Sequence, residues 1–224
     1  GHEVVVTAPD ITTNLAVGLE ALGVRSVDIP LQRNGLNPVA DLRYVLALKR
    51  LIQHEQIEMV LSYTIKPNIW GAFAAADRKV PSAAMVTGLG YAFTSKASSG
   101  LRAKGVRLIS RWLYRQATDR NAVVIFQNAD DIADFIAAGS LRHPNKARLV
   151  NGSGVDTNFF APTVLPEKPI FLMIARLLKS KGVAEYACAA QRILREFPHA
   201  EFRIAGPFDE GSDSIAPADL DNWV

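Results

Sequence analysis

Hydrophobic residues along this chain of 224 residues fall into two alternating patterns. Short continuous apolar runs of strand length are separated by segments in which apolar residues recur at helical spacing. The runs that predict strands are 3–8, 24–29, 57–62, 83–86, 122–126, 148–150, 170–175 and 201–205. Helical spacing predicts helices at 37–52, 68–76, 101–118 and 129–138. One more predicted helix ends near 23, and two more begin near 183 and 217. This alternation predicts an α/β fold with a parallel sheet covered on both faces.

The run at 170–175 reads as a strand buried on both faces, and a basic loop follows it at once. Free N–H groups and the positive dipole end of the next helix favour an anion here, and Arg176 and Lys181 add full charges. Ser180 is expected to cap the helix, and Gly182 lets a ligand approach the backbone. The loop therefore predicts an anion site, although a solvated basic loop in an ordinary βα unit has the same pattern.

Parallel sheets of this kind bind ligands at the carboxyl ends of their strands. This rule selects the segments 62–66, 87–90, 127–128 and 176–182 as candidate site segments. The segment 152–168 contains prolines and shows no strong periodicity, which makes it the best candidate for an interdomain linker.

Composition narrows the class of protein further. Apolar residues make up 49% and charged residues 21%, which is typical of a soluble globular protein, and the net charge of +3 gives no argument for nucleic-acid binding. No apolar run reaches the roughly 18 residues that a membrane span needs. The single cysteine, Cys188, excludes an intrachain disulfide, and the four histidines show no metal-ligand spacing. The single cysteine suits a reducing compartment without proving one, and we expect no bound metal.

The helix predicted at 101–118 is strongly basic. The region 96–120 contains seven basic residues and one acidic residue. Four of the cations form one helical stripe: Lys104, Arg107, Arg111 and Arg115. Apolar residues lie on another side: Val106, Ile109, Trp112 and Leu113. Such a helix can rest on an anionic membrane or meet the phosphates of a lipid-linked acceptor, but a core-packed helix with a solvated basic face has the same pattern.

Several stretches together resemble a known family. They are LQRNGLNPVADL (31–42), KPNIWGAFAA (66–75), VTGLGYAFTS (86–95), VIFQNADDIADF (124–135), VNGSGVDTNFFAP (150–162) and FLMIARLLKSKGVAEYACAA (171–190). Their order and spacing resemble glycosyltransferase family 4, in the capsular-polysaccharide branch that builds bacterial surface glycans on lipid carriers. Each motif alone is weak, but the ordered set covers nearly the whole chain.

The resemblance implies a GT-B architecture, in which two Rossmann-like domains face a cleft. Residues 1–162 then form the acceptor-side domain without its first strand, and 163–224 form the opening of the nucleotide-sugar domain. It also implies sugar transfer with retention of configuration and no required metal, from a nucleotide-sugar donor to a lipid-linked saccharide. A UDP-linked N-acetylhexosamine is our guess for the donor. We expect the enzyme to lie peripherally on the inner face of the cytoplasmic membrane.

The resemblance also implies roles for individual residues. Arg176 and Lys181 would grip the donor diphosphate, beside Gly182. Residues Thr87, Gly88 and Gly90 match a loop that borders the donor sugar, and Gly154 and Asp156 match the segment that crosses between the domains. Some relatives have His where Thr87 stands, and a threonine cannot serve as a base near neutral pH.

Two departures from the family pattern limit the expected activity. Family members begin with a strand and a glycine-bearing loop that this sequence lacks. They also carry a pair of glutamates in an E-x7-E pattern, whereas the tail here contains only Glu210. We therefore expect a truncated chain that holds no catalytic residue and has no transferase activity. The alternatives are a noncatalytic sugar- or nucleotide-binding module and an epimerase of GT-B fold.

Overall fold

The computed structural model describes residues 1–32, 37–88, 101–208, 213–221 and 223, with the backbone alone described for 101–103 and 221. The described chain forms two compact units, Gly1–Val155 and Asp156–Val224. The division falls after residue 155, whereas the sequence predicts a boundary after residue 162. The predicted assignment of the two parts to an acceptor side and a donor side stays a prediction.

The N-terminal unit alternates strands and helices, as the sequence predicts. Its elements are β1 (Val5–Ala8), α1 (Thr13–Ala21), β2 (Arg25–Asp28), α2 (Pro38–His54), β3 (Val60–Tyr63), α3 (Ile65–Asp77), β4 (Ser82–Val86), α4 (Leu101–Arg120), β5 (Val123–Phe126), α5 (Ala129–Ala137) and β6 (Ala147–Leu149). Strand β1 pairs with β2, and a second sheet has the order β3-β4-β5-β6. All of these pairs are parallel, which confirms the α/β class.

Two helices begin at asparagine caps. The side-chain oxygen of Asn37 accepts the N–H of Ala40 at 3.2 Å, and Pro38 occupies the first helical position of α2. In the same way, Asn128 accepts the N–H of Asp131 at 2.7 Å at the start of α5. Because these side chains satisfy amides that have no intrahelical acceptor, they fix where each helix starts.

Helix α3 packs closely on the sheet because it presents small residues. A Cβ atom at Gly71 would lie 3.4 Å from the Cβ of Ser62, in ordinary van der Waals contact, and Ala72, Ala74 and Ala75 are fully buried. The helix contributes Ala72 to a core shared with β4, α4, β5 and α5, and Ala74 to a core shared with α2. Both hydrophobic cores of this unit therefore depend on one helix.

Strand β3 is the end strand of its described sheet, and one of its sides is exposed. Met59, Leu61 and Tyr63 have relative exposures of 61%, 61% and 49%, whereas Ser62 is buried. The prediction of a sheet covered on both faces is therefore wrong at β3. Helix α3 packs on the Ser62 side, and the described residues leave the other side exposed.

The C-terminal unit is a smaller parallel βα structure. Its elements are β7 (Ile170–Ile174), α6 (Val183–Glu196), β8 (Glu201–Ala205) and α7 (Pro217–Asp221). The prediction that β7 is buried on both faces is wrong, since Phe171, Leu172 and Ile174 have relative exposures of 45%, 55% and 77%. The described sheet has only two strands, so β7 lacks the neighbours that would bury a continuous apolar run.

Just past the ends of β7 and β8, the backbone at Gly206 lies very close to the backbone at Ala175. A Cβ atom at Gly206 would overlap the carbonyl oxygen of Ala175. The approach is fixed on both sides, because Ala175 N–H donates to Ala205 O at 3.1 Å and Leu177 N–H donates to Pro207 O at 3.0 Å. Only glycine fits at this position.

We predict that Gly206→Ala lowers the free energy of unfolding of the C-terminal unit by at least about 2 kcal/mol, since a backbone clash cannot be relieved by a rotamer change. Urea denaturation monitored by circular dichroism measures the loss. The control is Gly18→Ala on an exposed position inside α1, where a Cβ atom meets nothing within 4 Å. That change is expected to stabilise by about 0.5–1 kcal/mol. Equal stability of Gly206→Ala and the unsubstituted chain would contradict the described approach.

The C-terminal end of α4 is anchored by charged groups of the segment that follows α5. The guanidinium of Arg142 donates to the Asp119 carboxylate, with an Nε–Oδ1 distance of 3.2 Å. Lys146 Nζ donates to the carbonyl oxygens of Thr118 and Asp119 at 3.2 Å and 2.7 Å. The Arg142 hydrogen bond holds the pKa of Asp119 below its ordinary value, against the opposing effect of partial burial.

A pKa lowered in the folded state contributes stability above the ordinary value of 3.8, and that contribution is lost as the pH falls below it. We therefore predict that Asp119→Asn destabilises the chain by up to about 1 kcal/mol at about pH 7, with a smaller difference at about pH 3. Urea titrations of both proteins at the two pH values measure this. Glu20→Gln, on the exposed side of α1, is the control. A difference that stays constant between the two pH values would refute the role of the carboxylate charge.

Candidate functional site

The basic loop after β7 is a tight turn with a defined backbone. Leu178 N–H donates to Arg176 O at 2.8 Å, and the residues Lys179–Lys181 form one turn of 3₁₀ helix. Gly182 follows in the left-handed region with φ +79° and ψ +23°, and α6 begins at the next residue. A side chain is strained at that φ, so the glycine is needed for the backbone itself.

The loop presents its cations to solvent at the start of α6. The side chains of Arg176, Lys179 and Lys181 are exposed. A Cβ atom at Gly182 would meet only the Glu185 carboxylate, at 3.9 Å, so the backbone there is open to approach. The first amides of α6 have no intrahelical acceptor, and the helix dipole adds partial positive charge. The sequence-predicted residues Arg176, Lys181 and Gly182 are therefore brought together in an arrangement that can attract an anion.

Two details of the predicted anion site are wrong. Ser180 does not cap α6, because it lies within the 3₁₀ turn and its hydroxyl donates to the carboxylate of Asp213. The loop amides are not all free, since Lys181 N–H donates to Leu178 O at 3.1 Å and Gly182 N–H to Lys179 O at 3.0 Å. The left-handed Gly182 separates the turn from the helix, so Ser180 is too early in the chain to cap it.

The residues predicted to border a sugar are only partly described. Thr87 is half-buried and follows β4 directly, and Gly88 has φ +148°. Gly90 lies outside the described residues. The end of β4 is held by a hydrogen bond from α3, because Asn68 donates from Nδ2 to the carbonyl oxygen of Met85 at 2.9 Å. Sequence analysis missed Asn68, since a polar residue in a small-residue helix gave no signal of its partner.

The predicted domain-crossing residues have local structural roles. Gly154 has φ +74°, which favours glycine. Asp156 closes a turn, because its Oδ1 accepts the N–H groups of Asn158 at 2.9 Å and Phe159 at 3.1 Å. The two residues fall in different compact units. A sugar-side role for either residue stays a prediction.

The carboxyl end of β3 carries strain that the sequence did not signal. Thr64 has φ +72° and ψ +166°, a backbone conformation that is almost restricted to glycine. Two residues later, Lys66 forms a partly buried ion pair with Asp41 of α2, with an Nζ–Oδ1 distance of 2.9 Å. Strained residues cluster at functional sites, so this strand end fits the expectation that ligands bind at 62–66.

The basic helix α4 exposes both cations and large apolar side chains. Lys104 and Arg115 are exposed, whereas Arg107 and Arg111 are half-buried and have other interactions. Leu108, Ile109 and Trp112 are also exposed, with relative exposures of 66%, 48% and 57%. Ile109 and Trp112 are therefore not packed in the core, whereas Tyr114 on α4 is buried.

Three further observations concern the described residues as a whole. A surface groove of about 570 Å³ lies between α2 and α3 over Val45, Trp70 and Phe73, and no predicted site residue lines it. Among the described ranges, no three or more histidine, cysteine, aspartate or glutamate side chains are grouped so that they could hold a metal ion. Within the same ranges, no helix combines the length and the hydrophobicity that a bilayer crossing requires.

Comparison with solved structures agrees on the fold. The chain is similar to Anabaena Alr3699/HepE in complex with UDP-glucose, with a TM-score of 0.59 and 14% identity, over 90% of this chain and 61% of that one. It is also similar to the UDP-GlcNAc 2-epimerase from Neisseria meningitidis bound to UDP-GlcNAc, with a TM-score of 0.56 and 12% identity, over 99% and 60%. At these identities the likeness concerns architecture alone, and it confirms the predicted GT-B-like α/β fold.

Two curated proteins are similar in sequence. One is the N,N'-diacetylbacillosaminyl-diphospho-undecaprenol alpha-1,3-N-acetylgalactosaminyltransferase of Campylobacter jejuni, 28% identical over 207 residues, which are 86% of this chain and 53% of that protein. The other is the UDP-Gal:alpha-D-GlcNAc-diphosphoundecaprenol alpha-1,3-galactosyltransferase of Escherichia coli, 26% identical over 82% of this chain and 49% of that protein. The chain thus spans about half the length of these relatives.

The family model for the glycosyl transferase 4-like domain matches residues 1–151. That match covers most of the N-terminal unit and more than half of the chain. The resemblance found in the sequence motifs is confirmed by it and by both curated relatives. This chain belongs to the glycosyl transferase 4-like family.

Proposed function

We propose that the chain is part of a retaining glycosyltransferase that moves a sugar from a nucleotide-sugar donor to a lipid-linked saccharide in bacterial surface-glycan synthesis, such as capsule formation. The observation that carries the proposal is the similarity to two curated glycosyltransferases over more than four-fifths of this chain. Both names specify an acceptor on diphospho-undecaprenol and an alpha-1,3 linkage. Retention would give such a linkage from an alpha-linked donor.

In the proposed mechanism, the donor diphosphate lies against Arg176, Lys181 and Gly182. The two cations and the start of α6 offset the charge that develops on the departing nucleoside diphosphate, which stabilises the transition state. Because these fixed charges are supplied by the protein, we propose that no metal is required. A UDP-linked N-acetylhexosamine is the proposed donor, since one relative is named as an N-acetylgalactosaminyltransferase and the other for UDP-Gal.

The proposed sugar-side residues are Thr87, Gly88, Gly90, Gly154 and Asp156. Thr87 can donate a hydrogen bond to a sugar hydroxyl, and it cannot act as a base. We assign no catalytic residue within this chain and propose that it does not transfer sugar by itself, in keeping with relatives about twice its length. The alternative is a noncatalytic binding module. Turnover of a nucleotide sugar by a protein that includes this chain and is as long as the relatives would decide against that alternative.

The proposed donor site predicts that inorganic pyrophosphate shifts the amide resonances of 176–185 in the ¹⁵N-labelled chain, with a dissociation constant on the order of 1 mM. Arg176→Ala and Lys181→Ala should each weaken this binding about tenfold, since each removes a charge-assisted hydrogen bond. Arg195→Ala, in the last turn of α6, is the control for loss of one positive charge. Shifts spread over all basic surfaces, or equal losses in the three variants, would mean that the loop is no specific site.

We also propose that α4 places the protein on the inner face of the cytoplasmic membrane. Exposed Leu108 and Trp112 enter the interface between headgroups and acyl chains, while Lys104 and Arg115 meet anionic headgroups. Arg107 and Arg111 lie on the flank of the same stripe and would add to the attraction, or meet the phosphates of the acceptor. The combination of apolar and basic exposure on one helix face is what an interfacial helix needs.

This surface predicts binding to vesicles made of equal parts phosphatidylglycerol and phosphatidylcholine. The double variant Lys104→Glu, Arg115→Glu should bind at least about tenfold more weakly, because each basic residue contributes about 1 kcal/mol at an anionic surface. The matched control reverses the same amount of charge on α2, at the exposed Arg43 and Arg50. Co-sedimentation measures both. An equal loss in the control would indicate general charge attraction, and no loss in either variant would remove the role of α4.

A further inference from the structure

A short segment far along the chain lies against the basic loop. Residues Asp213–Ile215 run beside the residues Leu177–Lys179, and Leu178 forms an antiparallel bridge with Ser214. Lys179 N–H donates to Asp213 O at 2.8 Å, and Ile215 N–H donates to Leu177 O at 2.9 Å. The loop is therefore held by backbone hydrogen bonds at two points along its length.

Side chains fasten the same segment at both of its ends. The hydroxyl of Ser180 donates to the Asp213 carboxylate. At the other end, Ile215 is buried in a small core with Leu177 and Val183. Ser180 stands between two exposed lysines of the loop, so its hydrogen bond acts at the centre of the turn that presents the cations.

We propose that Asp213 is a positioning residue for the anion site of the loop Arg176–Gly182, an inference that rests on the proposed donor function. Exposed cations on a short loop lose conformational freedom when they bind an anion, and a loop that is ordered beforehand loses less. The Asp213 carboxylate accepts the Ser180 hydroxyl and thereby holds the 3₁₀ turn in one conformation. Asp213 itself does not touch the diphosphate.

The carboxylate has a second effect of opposite sign. Its negative charge lies beside the loop and weakens the attraction of the loop for an anion. The hydrogen-bond acceptor and the charge can be separated, because Asp213→Asn keeps an acceptor oxygen and loses the charge, whereas Asp213→Ala loses both. A positioning role predicts that these two variants differ, and that the asparagine variant resembles the unsubstituted chain or binds more tightly.

The experiment compares Asp213→Ala, Asp213→Asn and Ser180→Ala by pyrophosphate titration and by amide hydrogen exchange. We expect Asp213→Ala and Ser180→Ala to weaken pyrophosphate binding about fivefold, the loss of one hydrogen bond, and to speed exchange at Lys179 and Ile215. Asp213→Asn should keep the protection and bind pyrophosphate at least as tightly as the unsubstituted chain. The control is Glu196→Gln at the far end of α6, about 20 Å along the helix.

Three outcomes would overturn the proposal. The first is a pyrophosphate affinity that Asp213→Ala leaves unchanged. The second is an Asp213→Asn variant that weakens binding as much as Asp213→Ala does. The third is an amide exchange rate at Lys179 that Asp213→Ala leaves unchanged. If the unsubstituted chain shows no response to pyrophosphate, the proposed donor site fails instead, and the exchange rates still decide whether Asp213 orders the loop. Because Asp213 is exposed, its replacement is not expected to unfold the unit.

Discussion

Helix α3 has to lie very close to β3 and β4, and the rest of the N-terminal unit depends on that approach. Because this face of α3 consists of Gly71 and three buried alanines, the helix lies close to the sheet, and α2 and α4 pack on either side of it. A large side chain on this face would push α3 away from the sheet and disrupt the packing of both hydrophobic cores. The same face also carries Asn68, whose hydrogen bond to the end of β4 supports the segment that leads to Thr87. Core packing and the position of the last residues of β4 thus depend on one helix.

The parts of the fold that could be predicted from the sequence are those with local signals. Strand β8 and the start of α7 agree with their predicted positions, and the loop from Arg176 to Gly182 was found because its strand, cations and glycine are contiguous. Burial of β7 could not be predicted, because an apolar run does not reveal how many strands lie beside it. The partner of Ser180 was missed for a similar reason, since Asp213 is separated from it by 33 residues and nothing local marks the pair.

The fold and the family carry different parts of the functional argument. Structures of a sugar epimerase and of a protein that holds UDP-glucose share the architecture at 12–14% identity, so the architecture alone does not distinguish the reactions. The family match and the two curated relatives narrow the class to glycosyltransferases. The two basic regions differ in their surroundings, since the cations of α4 lie among exposed apolar residues and those of the loop lie on a tight turn that ends at a glycine.

The open side of β3 has a consequence for handling the protein. An end strand offers unpaired N–H and C=O groups. Here Leu61 and Tyr63 of β3 and Met59 just before it are also exposed, and none of the four residues of the strand is charged. Natural end strands usually carry lysine, proline or a bulge that prevents edge-to-edge pairing between molecules. Strand β3 is therefore a place where edge-to-edge pairing between copies of this chain is favoured, and a lysine in place of the exposed Leu61 would oppose such pairing.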